Sequence, residues 1–193
     1  MHSETPVTGA ILAGGRADRM GGRDKGLIPL NGRPLIEYVI EALAPQVGSI
    51  VINANRNIDR YRSYGYPVIQ DQLADYPGPL AGMLAALEQI QTGYLLCVPC
   101  DGPWLPAELA ERLLAAMLDS AAEISCVHDG KRLHPVYALL ATSLRQPLAK
   151  YIDQGGRGVQ RWFKSRNLVQ VDFSDCPELF LNINTADELQ RVT

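Results

Sequence analysis

Neither sign of charge dominates this sequence: 18 Lys and Arg residues against 21 Asp and Glu leave a formal net charge of −3. There is no chain-wide basic field for nucleic acid, so anion binding has to be local. Long apolar runs are missing too, none approaching the ~20 residues needed to span a bilayer. The opening MHSETP has neither the basic nor the apolar region of a secretory signal. We therefore expect a cytoplasmic protein with no membrane or nucleic-acid partner. Cysteine is scarce: Cys97, Cys100, Cys126 and Cys176 make no extracellular disulfide framework. Cys97 and Cys100 have redox or metal spacing. No second pair and no nearby His completes a four-ligand set, however, and Cys97 lies in an apolar strand-like run where a buried thiol is ordinary.

Repeats, linkers and low-complexity tracts are absent, so residues 1–193 are expected to form one integrated domain; 193 residues, 47% of them apolar, suffice for a full core. The common catalytic fingerprints are absent as well. GGRADR does not fit G-x-G-x-x-G, and no Gly-Lys-Ser/Thr follows a glycine at P-loop spacing, which disfavours hydride transfer and P-loop hydrolysis. Nor is there H-E-x-x-H or G-x-S-x-G.

What is present is a cationic glycine loop. Residues 12–26 read LAGGRADRMGGRDKG, with glycines at 14, 15, 21, 22 and 26 and cations at Arg16, Arg19, Arg23 and Lys25. Glycine lets consecutive backbone N–H groups converge on an anion, and the cations supply charge. A flexible loop with solvated charges is the plain alternative. Position argues against it, because the loop follows the apolar run 7–12, a buried parallel strand whose end lies at the ligand-binding edge of an α/β sheet. Pro34 then opens a helix with Leu35, Ile36, Val39, Ile40 and Leu43 at helical spacing.

Strands are expected at 49–53 and 67–69, and each delivers a recognition group, Asn53 and Asp71. Either residue could instead be a turn former or cap. The segment 76–82, YPGPLAG, is a stiff turn into a helix carrying Met83, Leu84 and Leu87. The run 94–98 is the fourth strand and presents Asp101 within PCDGPWLP. A strand-end carboxylate beside a phosphate loop suits Mg²⁺, with Mn²⁺ as an alternative ion, and Pro103 and Pro106 leave the loop too long for a simple cap of the helix predicted at 106–118. In the second half, 123–128 and 133–140 are strands joined through Asp129-Gly130, a hairpin signal that predicts a small antiparallel part. His134 is weighed as a ligand contact, although a lone His is more often structural. Helices at 144–152 and 159–163 flank Gly155-Gly156-Arg157-Gly158, read as a turn. A strand at 168–172 and another at 180–184 come next; the latter alternates so that Asn182 and Asn184 face one way, and Thr185 caps a last helix.

These parts fit nucleotidyl transfer, in which an incoming phosphate attacks the α-phosphorus of a nucleoside triphosphate. Catalysis there is mainly alignment and neutralisation of charge spreading over phosphate oxygens. Asp101 is the expected metal ligand; Arg19 and Lys25 are the cations expected to stabilise the transition state and the departing pyrophosphate, ahead of Arg16 and Arg23.

LAGG, Arg19-Met20-Gly21, Asp24-Lys25-Gly26, YPGPLAGM, PCDGPWLP and FLNINTADEL together resemble the molybdenum cofactor guanylyltransferases over nearly the whole chain. The resemblance implies a three-layer αβα, Rossmann-like nucleotidyltransferase fold with a mainly parallel sheet. It further implies transfer of GMP from GTP to molybdopterin, with an N-terminal GTP-binding part and a C-terminal molybdopterin-binding part. Leu12, Ala13, Gly14, Gly15, Lys25, Asn53, Asp71 and Asp101 are implied to hold the nucleotide. Asn182, with Asn184 and Arg157, is implied on the pterin side. Molybdenum-insertion enzymes and molybdoenzyme chaperones are the implied protein partners. Ala17 and Thr185-Ala186 depart from the family pattern, where a hydroxyl residue and a proline are frequent. A cytidylyltransferase on the same pterin, a sugar-phosphate nucleotidyltransferase and a nucleotide-binding carrier are the alternatives.

Overall fold

Strand β1, Val7–Leu12, is an interior strand, third in the order of a seven-stranded sheet. The computed structural model describes residues 7–14, 24–72 and 78–183. In chain order these form β2 (Pro29–Leu30), β3 (Arg33–Pro34), α1 (Leu35–Leu43), β4 (Ser49–Asn53), α2 (Ile58–Arg62), β5 (Val68–Ile69), α3 (Pro79–Gln89), β6 (Tyr94–Pro99), α4 (Leu109–Asp119), β7 (Ile124–His128), β8 (Leu133–Ala141), α5 (Arg145–Asp153), α6 (Val159–Lys164) and β9 (Leu168–Asp172). The main sheet has the order β5-β4-β1-β6-β8-β7-β9, with β8 running against both of its neighbours and every other pairing parallel. The fold is therefore a three-layer, mainly parallel α/β sheet with a small antiparallel part, of the nucleotidyltransferase kind.

Side-chain alternation divides the core into two layers. Val7, Ile11, Ile50, Ile52, Leu96, Val98, Tyr137 and Leu139 pack with α1 and α4, whereas Ala10, Val51, Leu95, Cys97, Ala138 and Leu140 pack with α3, α5 and α6. Successive strand residues point to opposite faces, so strands covered by helices on both sides must be apolar throughout. That is why VTGAIL and YLLCVP carry no alternating polar pattern. One buried polar exception is satisfied: Ser125 Oγ donates to the Leu113 carbonyl of α4 at 2.8 Å. Gln46 ties the end of α1 to α4, its amide donating to the Ala42 and Pro106 carbonyls and accepting from the Ala110 N–H.

Three sequence expectations change. The short hairpin β2–β3 and the helix α2 fall where the sequence predicts no strand or helix, because each is too short to show periodicity. Helix α4 begins at Leu109, three residues later than expected from Pro106. The strand expected at 180–184 is not formed in its described part: Pro177–Phe180 is a 3-10 turn, and the backbone N–H of Ile183 donates to the Asp101 carbonyl at 2.8 Å. The segment is spent on holding a loop rather than on extending the sheet. The helix expected after Thr185 lies outside the described residues.

Candidate active site

The carboxyl ends of β1, β4, β5 and β6 converge on one sheet edge. The chain passes from β1 to β4 on one side and returns to β6 on the other, which places a switch point between β1 and β6, where open α/β sheets bind ligands. The edge is held tight. Leu12 accepts a hydrogen bond from the Cys100 N–H at 3.2 Å, and Ala13 donates its N–H to the Asn53 carbonyl at 2.7 Å.

On the β6 side, Lys25 Nζ donates to Asp101 Oδ2 at 2.9 Å. The Asp101 side chain is only 9% exposed and the Lys25 side chain 27%, so the pair is partly shielded from the solvent screening that weakens surface ion pairs. Lys25 opens a 3-10 turn, Lys25–Leu27. A Cβ at Gly26 would lie 2.7 Å from Tyr61 Oη and 3.2 Å from Cys100 Cβ, so only glycine fits beneath the turn.

A second cluster lies on the β4 and β5 side. Asn53 Nδ2 donates to Asp71 Oδ1 at 2.8 Å, and Asn55 Nδ2 donates to Asp71 Oδ2 at 2.7 Å; the Asp71 N–H returns a bond to Asn55 Oδ1. The Gly14 backbone lies against this network, where a Cβ would stand 2.9 Å from Asn55 Nδ2 and 3.1 Å from Asn53 Oδ1. On the opposite side, Gly82 of α3 is so close that a Cβ would collide with Asn53 Oδ1. Asn55 was not expected from sequence, although its place two residues beyond a strand-end Asn was a usable signal.

Asn182 stands beside Asp101 through shared contacts. Its Oδ1 accepts from the Tyr137 hydroxyl at 3.1 Å, and a Cβ at Gly102 would overlap the same hydroxyl. Tyr137 lies on β8 among buried apolar residues, and nothing in its sequence context distinguished it from core.

The other candidates take buried or structural roles. Cys97 and Cys126 are fully buried free thiols, and burial pushes Cys126 up to about 12 and Cys97 higher still, so both remain protonated and unreactive. Cys100 is also buried and held well above its ordinary value, chiefly by burial and then by the adjacent Asp101. Arg157 donates to the Ile152 and Gly156 carbonyls, closing the glycine corner as a turn beside a cavity of about 500 Å³. His134 packs on Phe180 and shares a 2.6 Å hydrogen bond with Asp129 Oδ2, a structural role in the hairpin. That bond, along with those from the backbone N–H of Arg132 and then of Lys131, holds the Asp129 carboxyl well below its ordinary value. A depressed carboxyl stabilises the fold above its unfolded pKa and loses that contribution as pH falls. Thermal unfolding measured against pH should therefore show Asp129→Asn losing less stability than the native chain on acidification below about 4; parallel curves would remove Asp129 from the acid limb.

Gly15, Arg19, Asn184 and the Tyr76-Pro77 part of the proline turn lie outside the described residues. Of the remaining sequence candidates, the structure brings together Leu12, Ala13, Gly14, Asn53 and Asp71 on one side, and Lys25, Asp101 and Asn182 on the other.

Comparison with known proteins agrees with this geometry. Residues 9–171 match the family model described as the MobA-like NTP transferase domain. A protein named molybdenum cofactor guanylyltransferase from Shewanella loihica is 46% identical over 97% of this chain and 95% of its own length. One of the same name from Cupriavidus pinatubonensis is 47% identical over 98% of each chain. The crystal structure of molybdopterin-guanine dinucleotide biosynthesis protein A from Archaeoglobus fulgidus superposes with a TM-score of 0.80 at 26% identity, covering 96% of both chains. A nucleotidyltransferase edge built on β1, β4 and β6, together with near full-length similarity to these relatives, places the chain in the molybdenum cofactor guanylyltransferase family.

Proposed function

We propose that this edge transfers GMP from GTP to molybdopterin, forming the molybdopterin guanine dinucleotide cofactor and releasing pyrophosphate. The observation that carries the reading is the Lys25–Asp101 pair at 2.9 Å, gathered at the same sheet edge as the Asn53–Asn55–Asp71 network. A phosphate oxygen of the pterin attacks the GTP α-phosphorus, one P–O bond forms, and the bond to the β-phosphate oxygen breaks. No protein nucleophile is needed, so alignment and charge neutralisation carry the rate.

On the base side, guanine presents N1–H and exocyclic N–H donors on one edge, and a carboxylate is their natural acceptor. Asp71 is held for that task by two amide donors, which leaves further lone pairs on each oxygen. Cytosine offers a single amino donor, N4–H₂, beside the acceptors N3 and O2, so it cannot give a carboxylate the paired donors that guanine presents. On the phosphate side, Lys25 supplies positive charge, and Arg19 supplies a second cation in this proposal. Gly14, with Gly15, brings backbone N–H groups close to the nucleotide.

Mg²⁺ suits the donor set, with Mn²⁺ second. It commonly takes one or two carboxylates and completes its shell with waters and substrate phosphates, and Asp101 is a shielded carboxylate of that kind. Among the described residues no larger cluster of His, Cys, Asp or Glu forms a cage. When bound, the ion would neutralise charge on the phosphate oxygens. Asn182, with Asn184, is assigned to the pterin side, so that the N-terminal part of one domain holds GTP and the C-terminal part its acceptor. Among the described residues no helix is long and apolar enough to cross a membrane. We place the enzyme in the cytoplasm, with molybdenum-insertion enzymes and molybdoenzyme chaperones as protein partners.

Pyrophosphate release with GTP, Mg²⁺ and molybdopterin is the direct test, and is expected well above a protein-free control; none above it would favour a binding protein. Calorimetry should show GTP binding more tightly than CTP. Tighter CTP binding would move the chain to a cytidylyl function.

A further inference from the structure

Asp24 is a buried carboxylate immediately before the phosphate-side lysine, and nothing in the transfer chemistry uses it. Its Oδ1 accepts from the Tyr61 hydroxyl at 2.5 Å and its Oδ2 from Asn57 Nδ2 at 3.0 Å. Asp24 is 9% exposed and Tyr61 fully buried. Burial raises the Tyr61 phenol far above its ordinary value, so it stays an O–H donor. Asn57 takes left-handed backbone geometry at φ 50°, a conformation that Asn tolerates better than most residues, and its carbonyl accepts from the Tyr61 N–H at 3.1 Å. Asp24 in turn carries the turn holding Lys25, its carbonyl accepting from the Leu27 N–H at 3.1 Å.

A fixed negative charge next to a phosphate site opposes the binding of an anion. It is tolerable only if what it holds in place outweighs that repulsion. The hydrogen bonds run from α2 and the residue before it to Asp24, and the Gly26 backbone lies against the same Tyr61 hydroxyl, so close that a Cβ there would stand 2.7 Å from it. We propose that Asp24, clamped by Tyr61 and Asn57, is a positioning residue that sets the Lys25 ammonium against Asp101 and the nucleotide phosphates. The inference rests on the reading of Lys25 as the phosphate-side cation.

A mutant cycle on kcat/KM for GTP separates the two. Lys25→Ala alone tests the reading and is expected to lose on the order of 100-fold; near-normal activity would remove both the reading and the inference. Asp24→Ala in the otherwise native chain should lose about 10- to 100-fold, the scale of a misplacement near 1 Å. In the Lys25→Ala background there is no ammonium left to position, so the same change should cost less than about threefold. Equal losses in both backgrounds would overturn the clamp and leave Lys25 in place. Tyr61→Phe keeps the ring, removes the donor and carries the same cycle if Asp24→Ala does not fold. Asp24→Asn can accept from Asn57 and donate to the Tyr61 oxygen, and should lie nearer the native enzyme than Asp24→Ala. Equal impairment of the two Asp24 variants would show that charge acts rather than hydrogen bonding, and would also overturn the proposal.

Discussion

Asp101→Ala is expected to lower turnover by on the order of 10³-fold or more, equivalent to about 4 kcal/mol of transition-state stabilisation. Two losses combine. The proposed metal loses its protein carboxylate, and the Lys25 ammonium loses a partner 2.9 Å away in a site where both groups are shielded from water. Asp101→Asn separates a structural explanation from a chemical one, since the amide has the same shape and can still accept a hydrogen bond from Lys25. If Asp101 serves only to hold Lys25, the amide should retain most of the activity. If the negative charge is needed at the phosphates, Asp101→Asn should fall nearly as far as the alanine variant, with thermal unfolding little changed. Initial rates of pyrophosphate release across a Mg²⁺ titration decide it, and a fully active Asp101→Asn would end the metal assignment.

The second large effect is at the neighbouring position. Gly102→Ala should destabilise the fold by about 2 to 3 kcal/mol through overpacking, a fall in unfolding temperature of roughly 4 to 12 °C for a domain of this size. The new methyl would overlap the Tyr137 hydroxyl, and that ring cannot swing aside. It is fully buried, with Phe180 edge-on at 5.2 Å and His134 at 6.1 Å between ring centres. The cheaper response is for the 101–102 loop to move, which would shift Asp101 and break the contact between the Ile183 N–H and the Asp101 carbonyl. Activity should therefore fall along with stability. Tyr137→Phe in the Gly102→Ala background removes the obstructing oxygen and should recover part of both. An unfolding temperature and kcat unchanged by Gly102→Ala would show that Tyr137 does not hold this loop.

The residues differ in how readily sequence reveals their work. Lys25, Asn53, Asp71 and Asp101 were legible because each comes after an apolar run that ends in a loop, and strand ends of parallel sheets face ligands. The Asp24–Tyr61–Asn57 clamp was not, because Tyr61 lies 37 residues from Asp24 and on a five-residue helix. Tyr137 was hidden for a different reason: in a strand buried on both faces, a tyrosine that supports Asn182 reads the same as one that fills core. The 180–184 stretch misled over its described part, up to Ile183, since apolar and amide residues at period two describe a half-buried strand and an extended loop segment equally well.

By itself the sequence determined the parallel layering, the glycine loop with its cations, and the carboxylate and amide groups at the strand ends, because these depend on local periodicity and on the residue types just past each buried run. Only the tertiary structure decided which of those groups meet. Contacts such as Lys25 with Asp101, separated by 76 residues, arise from strand order, and strand order is set by how helices cover two faces of one sheet rather than by any local pattern.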